Sequence, residues 1–264
     1  MVASLALKPD AHTRYVLRVA DTCLVWSHRL SEWCGHAPVL EEDIALANQA
    51  LDLLGQARAL LTHAGRLEGQ GFDEDQLAYL RDERDYLNVT LAELPNALVA
   101  GARGDFALTV LRNFFLSAWM LALWRALERS SDAELAAIAG KAAKESRYHR
   151  EHAADWVVRL GDGTDESHRR MSAALDRLWP CTSELFDADE VDAAAAATGL
   201  GPAWDALREG WLADVQAVLA EATLPLPPAP AWRGDGKRGR HSEHLGPLLA
   251  VMQVLPRSYP GGVW

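Results

Sequence analysis

The residues best placed for chemistry lie near the middle of the chain. Glu145, His149 and His152 are separated by four and three positions, so on a helix one carboxylate and two imidazoles share a face. Three such ligands with one open position suit a mononuclear catalytic metal. The alternative is that Glu145 pairs with a neighbouring arginine and both histidines are ordinary polar positions. This alternative is favoured, because the H-x-x-H spacing does not guarantee a shared ligand direction.

A di-iron centre requires a different pattern. Helical di-iron proteins carry Glu-x-x-His on each of two helices and a lone carboxylate on each of two others. No glutamate in this chain is followed by histidine at the third position. The phosphate-loop, dinucleotide, G-x-S-x-G and H-E-x-x-H motifs are also absent. The sequence therefore does not encode a di-iron site of the usual composition.

The elements that must position these residues are helices. Apolar residues recur at the helical period along nearly the whole chain, and no alternating strand pattern occurs. An all-α fold is expected, with long bundle helices. These span about Thr13 to Trp33, Pro38 to Leu67, Phe106 to Arg129 and Ser131 to Gly161. Ten tryptophans, mostly inside helical patterns, are expected to anchor the core and a partner interface.

Shorter helices and a tail complete the prediction. The helices run from Asp73 to about Leu94, Glu166 to Leu185, Asp187 to Gly199, Pro202 to Thr223 and Leu245 to Leu255. The charged run at 81–85 is interpreted as a solvated face. Prolines at 225–230 end the helical pattern. We therefore expect a bundle over residues 1–224 and, over 225–264, an extended Pro/Gly-rich tail with one short helix packed on it.

The tail also carries a basic, glycine-rich loop. Its cationic side chains are Lys237, Arg238, Arg240, His241 and His244. Such a loop could accept the phosphates of a nucleotide-like ligand or meet an acidic patch on a partner. A solvated surface loop explains the composition equally well, and both interpretations stay open.

The overall charge excludes several function classes. With 26 basic and 37 acidic residues the formal net charge is -11, which argues against binding nucleic acid or an anionic membrane. No run of about 18 apolar residues appears, and the N-terminal residues do not resemble a signal peptide. A cytoplasmic protein is expected.

Several runs together resemble a known family. They are Leu30–Pro38, Ala47–Gln49, Leu51–Arg58, Arg81–Arg84, Lys144–His149, Glu184–Glu190 and His241–Pro247. They are similar to the PaaC family, the non-catalytic structural subunits of ring 1,2-phenylacetyl-CoA epoxidase, the phenylacetate-CoA oxygenase of aerobic phenylacetate catabolism. The resemblance implies a ferritin-like helical fold. It also implies a related catalytic subunit, PaaA, that holds the di-iron centre, so that this chain needs no cofactor of its own.

The resemblance also places the ligand positions of the catalytic relative on this chain. The six matching positions are Glu32, Leu53, Gln56, Ser117, Ser146 and His149. Of these, only Glu32 and His149 keep a ligand residue type. Two scattered ligands cannot hold two irons, so the resemblance implies a degenerate di-iron site.

The implied function is that of a structural subunit in a multicomponent oxygenase. Its partners would be the PaaA-like catalytic subunit and further oxygenase and reductase components. Phenylacetyl-CoA would bind to the assembled complex. The isolated chain could form a homodimer, and this alternative stays open. The alternative from another class is an independent metalloenzyme using Glu145, His149 and His152.

Overall fold

The computed structural model describes residues 4–97 and 104–262 of the chain. Its helices are α1 (Ala11–Ser31), α2 (Leu40–Glu68), α3 (Glu74–Tyr79), α4 (Thr90–Glu93), α5 (Phe106–Leu127), α6 (Ala133–Gly161), α7 (Asp165–Leu178), α8 (Glu190–Thr198), α9 (Arg208–Glu221) and α10 (Leu245–Ser258). Within these described residues there is no strand. The predicted all-α class is confirmed, and the fold is the ferritin-like bundle.

Two long helical hairpins form the bundle. α1 packs along α2, α5 packs along α6, and α2 meets α6 across the centre. α7 and α9 cover α5, α8 lies against α1, and α10 lies against α3. Connections too short for a crossover make each pair antiparallel. The centre of the four long helices is therefore where a ferritin-like protein builds its site.

α5 is the most deeply buried of these helices. Among the described residues it is the one helix long and apolar enough to cross a membrane. However, 89% of its most apolar window is buried inside the bundle. The core of a helical protein explains this composition, because a helix that is apolar all round is an interior helix.

Side-chain caps fix where the long helices begin. Asp10 accepts a hydrogen bond from the Thr13 amide, and Asp105 accepts one from the Ala107 amide. Asp132 accepts from the amides of Glu134 and Leu135 at the start of α6. Each cap satisfies otherwise unpaired N–H groups and contributes about 1 kcal/mol. The helices predicted to begin near Phe106 and Ser131 thus begin at Phe106 and Ala133, with Asp105 and Asp132 as their N-caps.

The tryptophans are mainly core residues. Trp26, Trp119, Trp124 and Trp204 are fully buried, and Trp119 and Trp204 meet edge to face with centroids 4.8 Å apart. Among the described tryptophans, Trp232 is the exposed one. The expectation that tryptophans anchor a partner interface is therefore not supported by their positions.

The predicted helix from Asp73 to about Leu94 is wrong. α3 ends at Tyr79, and the chain continues through a short 3-10 turn before α4. The cause is Arg81, which is fully buried and pairs with the fully buried Asp21 of α1. Asp21 also accepts the Leu87 amide at 2.8 Å. The charged run is therefore not a solvated face throughout, because this ion pair turns the backbone inward.

Two further helices have bounds that differ from the prediction, one at its end and the other at its start. α7 stops at Leu178 and continues as a 3-10 segment with Pro180 near its start. Proline lacks the N–H that an α-helical continuation needs. The stretch from Pro202 likewise opens with a 3-10 turn at Trp204–Leu207 before α9 begins.

The chain after Thr223 returns to the bundle. A Cβ on Gly236 would lie 2.5 Å from the carbonyl oxygen of Asn88, so only glycine permits this close approach. The Lys237 carbonyl accepts from Arg18 at 3.1 Å. The basic loop is therefore packed onto the segment between α3 and α4, and onto α1.

Candidate functional site

The centre of the four long helices holds most of the residues at the ligand positions that the family resemblance implies. Leu53 and Gln56 lie on α2, Ser117 on α5, and Ser146 and His149 on α6; each is at most 4% exposed. The structure thus brings five of the six positions into the interior. What they can do depends on their partners.

Gln56 occupies one of the implied ligand positions, and its side-chain amide already has two partners. Its Nε2 donates to Oε2 of Glu145 at 2.9 Å, joining α2 to α6. Its Oε1 accepts a contact from Sγ of Cys23 at 3.6 Å, joining α2 to α1. Gln56 therefore links three helices through polar contacts.

His149 is a buried imidazole with a carboxylate partner. Its Nε2 donates to Oδ2 of Asp52 on α2 at 2.9 Å. Burial lowers the pKa of His149, and the hydrogen bond and charge of Asp52 only partly offset this. The lowered pKa favours the neutral ring, whose Nε2–H is donated to Asp52 on the neighbouring helix.

The remaining interior positions offer little to a cation. The Ser117 hydroxyl donates to the carbonyl of Asn113 one turn earlier. Oδ1 of Asn113 accepts from Nε1 of Trp26 at 2.9 Å, so α5 and α1 are joined by neutral groups. Leu53, which is 0% exposed, has no ligand atom.

Glu32 lies apart from the other five positions. It is the C-cap of α1, its side chain is 42% exposed, and it forms a bidentate pair with Arg29 at 2.8 and 2.9 Å. It follows Cys23 by nine residues, about 13.5 Å along the helix. Cys23 and Trp26, rather than Glu32, are the α1 residues that reach the polar centre.

These residues do not fit a di-iron centre. Two irons require several carboxylates and two imidazoles. The interior positions supply one imidazole, two hydroxyls, an amide and an aliphatic side chain, and the amide and the imidazole are each engaged by a neighbour. The centre is stabilised by packing and hydrogen bonds between helices.

The three residues of the mononuclear alternative are each held separately. His152 donates from Nε2 to Oε2 of Glu42 at 2.8 Å, while His149 and Glu145 face Asp52 and Gln56. Their ligand atoms do not form a group within 4.8 Å among the described residues. The structure therefore does not bring them together as a metal site.

The basic loop is largely internal. Lys237 is fully buried, donates from Nζ to the buried Asp192 at 2.8 Å, and lies over the Trp204 ring at 4.7 Å. His241 is held between Glu93 and the carbonyl of Tyr86, both at 2.8 Å. Burial opposes protonation of His241, but the hydrogen bond and charge of Glu93 raise its pKa overall.

The other three basic residues lie nearer the surface. Arg238 pairs with Asp187, Asp189 and Asp235, and is 28% exposed. The Arg240 side chain is 73% exposed, and His244 lies 3.6 Å from Glu243. Arg240 and Arg238, with Arg84, Glu83, Gly239 and His241, line an open pocket. The predicted contact with a ligand or partner stays a prediction, carried mainly by Arg240.

One exposed apolar surface was not predicted from the sequence. Four large apolar residues in the N-terminal half of α2 are exposed, by 70%, 53%, 64% and 38%: Leu40, Ile44, Leu51 and Leu54. Their spacing places them along one side of the helix, and we call them the α2 stripe. α2 carries apolar residues on two faces, and the sequence does not show which face the bundle buries.

Comparison with known proteins gives two matches. The sequence profile of the phenylacetic acid catabolic protein family matches residues 4–264. The chain is 52% identical over 252 residues to one of the subunits of 1,2-phenylacetyl-CoA epoxidase from Escherichia coli strain K12. That alignment covers 96% of this chain and 98% of the relative.

Proposed function

The chain belongs to the phenylacetic acid catabolic protein family, and we propose that it is a structural, non-catalytic subunit of a 1,2-phenylacetyl-CoA epoxidase. The observation that carries this proposal is the centre of the bundle. Five of the six implied ligand positions are buried there, but their residues supply one imidazole and no carboxylate, and both Gln56 and His149 bond to neighbouring side chains. The chain keeps the shape of an oxygenase bundle without the donor set for its metals.

The catalytic step then falls to a partner. A related PaaA-like subunit would hold the di-iron centre, reductase components would deliver electrons, and phenylacetyl-CoA would bind through the assembled complex in the cytoplasm. The Escherichia coli relative is itself one subunit of an epoxidase, which supports a multi-subunit assembly. This chain contributes a rigid helical surface.

The α2 stripe is the surface that fits such a partner. Its first and last residues, Leu40 and Leu54, are 14 positions apart, about 21 Å of helix. Tyr148 of α6 is 61% exposed and stacks on His152, which bonds to Glu42 of α2. Contiguous exposed apolar surface of this kind marks an interaction site in a soluble protein. An amphipathic helix or helical bundle of the partner would bury it.

Acidic substitutions on the stripe test this arrangement. The double variant Ile44→Glu/Leu51→Glu places two carboxylates on exposed positions and should leave the isolated fold intact. We expect its affinity for the co-expressed catalytic subunit to fall by about 100-fold or more, as for the loss of two central apolar anchors. Ala217→Glu, which adds a carboxylate to an exposed position of α9, is the matched control.

Two outcomes would contradict the proposal that the α2 stripe binds the catalytic subunit. Co-purification of the double variant at the level of the unmodified chain would exclude it as the partner surface. If light scattering instead shows a homodimer of the isolated chain that the double variant dissociates while partner binding persists, the stripe is a homodimer interface.

Activity separates the structural role from the mononuclear alternative. In a reconstituted complex, epoxidation of phenylacetyl-CoA should require this chain and should persist when His149 and His152 are both replaced by alanine. Loss of turnover in a folded, fully assembled double variant would instead support a catalytic role for these histidines.

The loop prediction is tested at its exposed residue. If the pocket beside the basic loop contacts the CoA moiety, Arg240→Glu should raise the KM for phenylacetyl-CoA without changing assembly. If the loop contacts the partner, the same change should weaken assembly. If neither the KM nor assembly changes, the loop contacts neither the CoA moiety nor the partner through Arg240.

A further inference from the structure

We propose that His12, His63 and Asp132 form a binding site for a divalent transition-metal ion of the zinc type. Nε2 of His12 lies 2.8 Å and Nε2 of His63 lies 2.6 Å from the same carboxylate oxygen, Oδ2 of Asp132. The three ligand atoms lie within 4.8 Å of one another, and no other such group of three occurs among the described residues. Nothing in the proposed function uses these residues.

The three ligands come from three different helices. His12 lies in the first turn of α1, His63 near the C-terminal end of α2, and Asp132 caps the start of α6. His63 follows Gln56 by seven residues, about 10 Å along the axis of α2. The trio is therefore separate from the degenerate centre of the bundle.

Local structure aims the ligands at one point. Oδ1 of Asp132 accepts from the amides of Glu134 and Leu135 at 3.0 and 3.1 Å, which directs Oδ2 towards the two imidazoles. The two rings meet edge to face at 67° with centroids 6.4 Å apart, so both Nε2 atoms approach that oxygen from different sides. Each ligand is thus oriented by an element that is already rigid.

The geometry suits insertion of a small cation. Zinc binds imidazole nitrogen and carboxylate oxygen at about 2.0–2.2 Å, which puts tetrahedral ligand atoms about 3.3 Å apart. The two N···O distances of 2.8 and 2.6 Å would need to widen by only about 0.5–0.7 Å. Two imidazoles and a carboxylate match the ligand preferences of zinc rather than those of calcium or magnesium.

Burial leaves one side of the site open. The side chains of His63 and Asp132 are each 9% exposed, whereas that of His12 is 37% exposed. An ion can therefore enter beside His12, and its fourth position can hold water. Bound metal would join the start of α1, the end of α2 and the start of α6, and so stabilise that end of the bundle.

Zinc titration of the full-length chain tests the site. The chain is purified without a polyhistidine tag, in a Cys34→Ser background because Cys34 is exposed, and is stripped with a chelator. Calorimetry with Zn²⁺ should give one equivalent per chain, and bound zinc should raise the Tm by several degrees. Co²⁺ at the same site should show visible d–d absorption of a four-coordinate ion.

Matched variants locate the binding. His12→Gln and Asp132→Asn should each weaken zinc binding by more than about 100-fold, since loss of a direct ligand exceeds the loss of a supporting residue. Both should stay folded, because His12 is partly exposed and asparagine is also a good N-cap. His152→Gln, which removes an imidazole bonded to Glu42, should bind zinc like the unmodified chain.

Three results would overturn the proposal. Far less than one equivalent of bound zinc per chain would show that the three residues form only a hydrogen-bonded cluster, in which both imidazoles donate to Asp132. Unchanged affinity in His12→Gln and Asp132→Asn would place the ion elsewhere. A loss in His152→Gln equal to theirs would assign it to the α6 histidines.

Discussion

Leu51 and Leu53 provide a paired test of how α2 is used. Both are leucines on the same helix, two residues apart. Leu53 is 0% exposed at a ligand position implied by the resemblance, whereas Leu51 is 64% exposed on the α2 stripe. In Leu53→Ala the loss of three carbon groups costs about 2.4 kcal/mol in transfer free energy. The cavity left behind brings the expected loss in free energy of unfolding to about 3–5 kcal/mol.

The same substitution at Leu51 should leave stability nearly unchanged and weaken partner binding. Leu51→Ala should change the free energy of unfolding of the isolated chain by less than about 0.5 kcal/mol. It should, however, weaken binding to the catalytic partner by about 5- to 30-fold, the range for loss of an interface anchor. Urea unfolding measures the first quantity, and titration with the partner measures the second.

The comparison has a clear refuting result. Equal, small stability losses in both variants would show that Leu53 is not packed in the core, and the interpretation of the ligand position as a packing position would fail. A loss of several kcal/mol in Leu51→Ala would show that the stripe is buried in the isolated chain.

The remaining predictions concern two buried ionic contacts. Arg81→Met should lower the free energy of unfolding by about 3–5 kcal/mol, because it leaves the buried charge of Asp21 uncompensated. Adding Asp21→Leu to this variant should recover most of the lost stability. A double variant whose loss equals the sum of the two single losses would contradict this. Because the folded pKa of His241 is raised by Glu93 above its ordinary value, its contribution to stability is full below that ordinary value and is lost as pH rises through the folded pKa. His241→Gln should abolish this pH dependence in urea unfolding, and an unchanged profile would exclude the ion pair as its source.

The long helices were predictable because local and global signals agree. Asp105 and Asp132 cap helices whose apolar period is continuous, so the start and the buried face follow from the same residues. The family resemblance then correctly identified the bundle as ferritin-like. Most of the fold follows from such agreement.

The segment after α3 was not predictable because it depends on a distant residue. Arg81 lies in a charged run that is typical of a solvated face, yet Asp21, 60 positions earlier, draws it into the core. Lys237 is buried for the same reason, because it pairs with Asp192, 45 positions earlier in the chain. Composition cannot distinguish a paired buried charge from an exposed one.

Some residues of the candidate sites could be assigned from the sequence, whereas others are brought together only by the fold. The resemblance assigns Leu53 and Gln56 to the centre, and the structure places both there. It assigns Glu32 with them, but Glu32 lies at the end of α1. His12, His63 and Asp132 are 51 and 69 positions apart and carry no spacing signal, so only the folded chain brings them together.

The iron content of the purified chain, alone and in complex with the proposed catalytic partner, decides whether this chain is a non-catalytic subunit. We expect far below one equivalent of iron in the isolated chain, and a di-iron complement in the complex that is unchanged by His149→Ala. Stoichiometric iron with oxo-bridged absorption in the isolated chain would contradict it.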